Sequence, residues 1–232
     1  MSWLFVGLVA LRGISDLCAE GFKMRALAHG DVSLVTGLLS LSPLILTLLS
    51  PFITGDTVRG FEVVGLGIIV LGGSLLIRRD RSTGRVFQPR AIVYALGASV
   101  AFALNTCFDR LAVTHAGPIE SAFAMTVCAA VLASPVSFLG NAAAKRESLA
   151  THHRSFLLRG LFETAFMVTK MWALVSLPGH VVMGLTRFSM ILTVVVGGTL
   201  FHERDRLRRI LGVAFMYVGL LTLLGWVPFA GH

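Results

Sequence analysis

The sequence predicts an all-α integral membrane protein, with about eight transmembrane helices forming most of a five-plus-five inverted-repeat bundle. Three observations carry this expectation. Hydrophobic residues make up 55% of the 232 positions and charged residues 14%, and the mean hydropathy is +0.81. A soluble domain of this size cannot bury so much apolar surface, whereas a bilayer accepts it. Second, part of the chain occurs twice: residues 11–77 register without a gap on residues 158–224, 147 positions apart. Third, the basic residues gather in alternate connections between apolar runs, the pattern that orients helices in a membrane.

Apolar runs of spanning length place the helices near 5–28, 32–54, 60–77, 91–112, 119–141, 157–176, 180–201 and 208–227. The first carries Arg12, Asp16, Glu20 and Lys23, whose spacings of four, four and three put them on one face. Pro43 is expected to bend the second; Pro51 and Pro135 fall near helix ends, where a missing backbone donor does least harm. Gly65 and Gly72 in the third helix, and Gly212 and Gly219 in the eighth, are seven apart and share a face, which lets a neighbouring helix approach closely. Met1 leads directly into an apolar stretch with no basic n-region and no Ala-x-Ala site, so a signal peptide is a poor reading of the N-terminus.

The register of the duplication is carried by residues that chance would not align in an apolar chain. Leu11-Arg12-Gly13 meets Leu158-Arg159-Gly160, Asp16 meets Glu163, Lys23-Met24 meets Lys170-Met171, Gly65 meets Gly212 and Gly72 meets Gly219. Helices one to three thus match helices six to eight. Five spans is an odd offset, so the copies cross the membrane in opposite directions and form an inverted repeat. The expected organisation is an N-terminal repeat of three helices over 1–77, a basic connection over 78–90, and a five-helix C-terminal repeat over 91–227. Partners of helices four and five would occupy about 55 residues upstream of Met1, so either the start lies upstream or this is a shortened version. The connections 78–90, 142–159 and 202–209 hold most of the arginines and lie on one side, against little more than Arg59 on the other. The positive-inside rule puts the basic side in the cytoplasm and both termini outside.

A charge inside a spanning helix costs roughly 2.5–3.5 kcal/mol on insertion scales, so each needs a partner or a wet cavity. Asp16 and its repeat-mate Glu163 either bind a substrate amine or exchange protons in a polar passage, or merely neutralise neighbouring bases. Glu20 and Lys170 belong to the same charged stripe, in which Met167 replaces Glu20 in the second copy. Arg12, Arg159 and Lys23 read as snorkelling to the interfaces. Arg187 stands midway along the seventh helix and should face a cavity or an acid such as Glu163, where its planar fork could hold a carboxylate or phosphate. In the fourth helix Asn105 is the cavity candidate, while Asp109-Arg110 reads as interfacial anchoring. Glu120 suits the positive end of a helix dipole, and Asp56 and Glu203 read as caps or loop ion pairs.

Other classes find little support. The net charge of +8 would suggest nucleic acid in a soluble protein, but bases in loops between spans face anionic lipid headgroups instead. Cys18, Cys107 and Cys128 lie in apolar segments and fit no zinc or disulfide spacing, so they read as small buried residues. His152, His153, His180 and His202 share no metal-binding face and read as solvated loop residues. No metal and no cofactor is expected. Gly-x-Ser-x-Gly, His-Glu-x-x-His and paired-aspartate motifs are absent from the chain, which argues against an intramembrane enzyme.

The run from Gly37-Leu38 through Ser42-Pro43, Thr54-Gly55-Asp56 and Gly65 to Gly72, with His202-Glu203, Gly212 and Gly219 as a second occurrence, resembles the EamA-type proteins of the drug/metabolite transporter superfamily. The resemblance implies ten helices in two inverted five-helix repeats, moving small metabolites by alternating access, usually in the bacterial inner membrane. This sequence departs from that pattern in lacking two helices, in Asp56 where the family favours Glu, and in loop charges that put the termini outside rather than inside. The leading expectation is a secondary transporter, an exporter, of a small polar or amphiphilic metabolite, embedded in lipid, with a coupling proton or ion and a homodimer both compatible. Substrate would sit between helices one, four, six and seven, with Asp16, Glu20, Asn105, Glu163, Lys170 and Arg187 along the path. The rival expectation is a non-transporting or truncated membrane protein acting as an assembly partner.

Overall fold

The structure, a computed structural model, describes residues 3–30, 35, 38–76, 89–138, 142–186, 206–223 and 225. Among the described residues eight helices follow in chain order: α1 (Trp3–His29), α2 (Ser42–Ile53), α3 (Gly60–Leu76), α4 (Pro89–His115), α5 (Pro118–Phe138), α6 (Ala142–Ser176), α7 (Gly179–Thr186) and α8 (Arg206–Leu223). No strand occurs among the described residues. By length and composition α4 and the stretch Pro118–Pro135 of α5 are apolar enough to span a bilayer. Large apolar side chains stand exposed on several helices, among them Phe52, Phe123, Phe162 and Trp172. So much exposed hydrophobic surface is stable against lipid and not against water.

Several helix ends depart from the sequence expectation, each for a local reason. Proline favours the first helical turn, where its missing N–H has no partner to lose, and Pro89 and Pro118 both start helices. Pro43 falls in the first turn of α2 and therefore does not bend it. The connection 142–159, read as a loop, is largely helical, because α6 begins at Ala142 and is kinked at His152 (φ −115°, ψ 19°). Hydropathy marks where a helix enters the bilayer, not where it starts. Ala142-Ala143-Ala144-Lys145-Arg146-Glu147 is made of strong helix formers that extend the helix into the polar zone. At the other end of α5, Glu120 Oε2 accepts the Gly117 N–H at 3.2 Å, a structural role of the kind expected.

The chain divides into two compact units. The first comprises residues 1–17 and 108–177, the second residues 18–107 and 178–232. In the first, α5 packs on α6. Gly13 of α1 lies so close to α5 that a methyl group there would meet Leu132 Cδ1 at 2.7 Å and Cys128 Sγ at 2.9 Å. In the second unit α3 packs along α8, and α7 lies against α2, α3 and α8. Leu66, Ile69, Val181, Met216 and Leu223 form one buried cluster there, and Leu46, Ala103, Cys107 and Met183 another.

The α3–α8 crossing is set by glycine. A Cβ on Gly65 would stand 2.8 Å from the Gly219 carbonyl oxygen, and one on Gly72 would stand 2.7 Å from that of Gly212. The pairing is therefore 65 with 219 and 72 with 212, so the helices run antiparallel. Adding 147 to 65 and 72 gives 212 and 219, and the exchange turns one close contact into the other. Two helices related by a two-fold axis between them meet in this way.

Candidate functional site

The first unit buries a charged cluster on three helices. Its centre is Asp109 of α4, which is 0% exposed. Asp109 Oδ1 accepts from Arg12 Nε of α1 at 3.3 Å, and Oδ2 accepts from Lys170 Nζ of α6 at 2.7 Å. Arg12 also reaches Asp16 one turn along α1, Nη1 to Oδ2 at 3.1 Å, and its Nη2 lies 4.0 Å from Met167 Sδ. Beside them, the Arg110 guanidinium donates to the Leu174 carbonyl of α6.

Among the described residues, Arg12 and Lys170 pair with Asp16 and Asp109. That pairing is what makes burial tolerable, since a lone ion in a spanning helix is costly and a paired one much less so. The four groups are unequally enclosed. The side chains of Asp109, Arg12 and Lys170 are 0%, 9% and 12% exposed, whereas that of Asp16 is 29% exposed. Asp16 is thus the most exposed of the four. Chemically the arrangement offers an incoming cation the carboxylates, and an incoming anion the Arg12 fork and the Lys170 ammonium.

Of the residues singled out from sequence, the structure brings Asp16 and Lys170 into this cluster. Glu20 belongs to the second unit, where it pairs with Lys23 at 2.6 Å. Lys23 Nζ there lies 5.8 Å from the centre of the Phe102 ring. Asn105 is buried in α4, one turn before Asp109. Glu163 is exposed on α6, as is the whole stretch 151–166. Arg187 lies outside the described residues.

Four readings are corrected. Arg12 does not sit at a helix start and snorkel outward; α1 begins at Trp3, roughly 13 Å earlier along the axis, and Arg12 is buried and paired. Asp109 is no interfacial anchor, because α4 continues to His115 and the residue is fully buried against Arg12 and Lys170. His180, read as solvated, is fully buried and faces Glu62, a residue the sequence reading passed over. Among the cysteines Cys107 is buried as expected, while Cys18 is exposed.

An all-helical chain with exposed apolar faces and ion pairs buried between its helices has the make-up of an integral membrane protein. The chain belongs to the EamA-like transporter family, whose profile matches residues 89–225. Members of this family are transporters rather than enzymes, so a small-molecule substrate and a lipid bilayer are the protein's partners. No curated protein matches the chain. A solved structure, titled only as the crystal structure of a protein, is similar in fold: the TM-score is 0.70 at 15% identity, over 96% of this chain and 76% of that one.

Proposed function

We propose that this protein is a secondary transporter that exports a small polar or amphiphilic metabolite across the bacterial inner membrane by alternating access. The observation that carries the reading is Asp109, fully buried and held by bases from two other helices. Ion pairs that tie three spans together are a two-state element. A substrate ammonium that takes Asp109, or a substrate carboxylate that takes Arg12, releases one tie as it forms another, and the helices can then rearrange. Asp16 is the group that meets the substrate first, being the most exposed of the four.

The test compares metabolites in the medium of cells that lack the protein, express it, or express Asp109→Asn or Asp16→Asn, with membrane expression verified. A compound released by the wild type and reduced about tenfold or more in Asp109→Asn, a loss of roughly 1.4 kcal/mol of transition-state stabilisation, supports the reading and identifies the substrate. Asp16→Asn removes a partly exposed group and keeps the test valid if Asp109→Asn does not fold. Unchanged release in both variants overturns the assignment.

A further inference from the structure

The second unit holds a buried titratable pair of its own. Glu62, in the first turn of α3, is 8% exposed, and His180, in the first turn of α7, is 0% exposed. His180 Nε2 lies 3.1 Å from Glu62 Oε2, and the same oxygen accepts the Arg59 backbone N–H at 2.7 Å. His180 Nδ1 is buried and has no hydrogen-bond partner among the described residues. A second carboxylate adjoins the pair: Asp56 Oδ2 accepts the Gly179 N–H at 3.3 Å and the Thr54 hydroxyl at 3.0 Å.

We propose that Glu62 and His180 form a proton-binding site that latches the start of α7 to the start of α3. With Nε2 engaged by Glu62, the proton enters and leaves at Nδ1. Unprotonated, the pair keeps a buried carboxylate against a neutral ring; protonated, it becomes a balanced imidazolium–carboxylate pair. The N-terminus of α7 and the carboxylates of Glu62 and Asp56 are the polar groups that adjoin the ring. Among the described residues the neighbouring elements add little charge. α2 and the stretch 211–223 of α8 carry no Asp, Glu, Lys, Arg or His. The Arg59 guanidinium lies 5.9 Å from the Phe61 ring, and α4 contributes the Cys107 thiol, packed in the apolar cluster with Met183. Both helices begin on the side opposite the basic connection 78–90, so the proton comes from the water on that side. Proton binding stands by itself; a coupling role for it rests on the transport reading above.

The test is hydrogen exchange of the peptide spanning 177–186 in the full chain, reconstituted in lipid, from about pH 5 to about pH 9 and corrected for intrinsic exchange chemistry. If the latched form holds one proton that opening releases, the opening equilibrium rises by about tenfold per pH unit over the range in which the latched form keeps that proton and the open form has lost it, and levels off above that range. His180→Gln and Glu62→Gln should each remove that dependence. A flat wild-type profile, or a titration that survives in a folded variant, overturns the site. The wild-type profile decides the matter alone if neither variant folds. Titrating exchange with no metabolite release would sink only the transport reading, and a flat profile with intact release only the proton site.

Discussion

An aspartate has a single methylene between backbone and charge, so it cannot reach the interface from within a span as lysine and arginine do. Asp109 therefore needs a local cation, and the structure supplies two. Removing one partner from a buried pair costs about 3–5 kcal/mol, whereas replacing the pair with apolar groups of similar size is often neutral. Lys170→Met is expected to lower stability by about that amount. The double variant Asp109→Leu/Lys170→Met, which leaves Arg12 with Asp16, should recover most of it while abolishing transport. Thermal unfolding in detergent, set beside metabolite release, measures both; a double variant no more stable than Lys170→Met would show that Asp109 serves more than charge balance. Glu163→Gln, by contrast, should change release much less than Asp109→Asn, because Glu163 is exposed. Asp16 and Lys170 were legible as members of a repeated charged stripe. Asp109 was not, since hydropathy fades near residue 112 while the helix runs on to His115. The Asn105–Asp109 spacing was the available signal, and the short stem of aspartate would have weighted it correctly.

Elements follow the sequence where packing is decided by small residues and depart from it where charge and helix propensity disagree. The seven-residue glycine spacing in α3 and α8 was legible and becomes the antiparallel crossing, with Gly65 and Gly219 backbone to backbone. The extension of α6 to Ala142 was not, because a helix formed of alanine and charged residues looks like a loop on a hydropathy scale. Nor was the burial of His180, which depends on α3 and α7 meeting across 118 residues of sequence. The crossing gives a sharp contrast within one helix. A methyl on Gly65 would stand 2.6 Å from the Leu223 backbone nitrogen, whereas one on Gly67 meets nothing within 4 Å. Gly65→Ala should force the helices apart and cost about 1–3 kcal/mol, as overpacking does. Gly67→Ala should be neutral or stabilising by roughly 0.5–1 kcal/mol. Thermal unfolding of the two variants in detergent checks this, and equal behaviour would remove glycine from the account of the crossing.

At the scale of the whole chain, duplication and charge order the helices across the membrane before any contact is considered. The eight spans expected from sequence would separate the two copies by an odd number, so the helices that share Arg12/Arg159 and Lys23/Lys170 are expected to run in opposite directions. The substrate stays illegible at this scale, since a balanced pair of bases and acids recognises either sign of ion, and composition carries no further information about shape. Orientation, however, is decided by loops alone. From sequence, the connections holding Thr57 and Leu177 are expected opposite those holding Ser82 and Arg204, with the bases on the latter side. In a chain freed of Cys18, Cys107 and Cys128, Thr57→Cys, at an exposed position, should react with a membrane-impermeant maleimide added outside intact cells. Ser82→Cys should react only after permeabilisation. The reverse pattern would put both termini in the cytoplasm, as the family resemblance implies, and would make the Glu62–His180 site draw its proton from the cytoplasm instead. Because α3 and α7 begin on the same side in either case, the labelling fixes which water the latch senses.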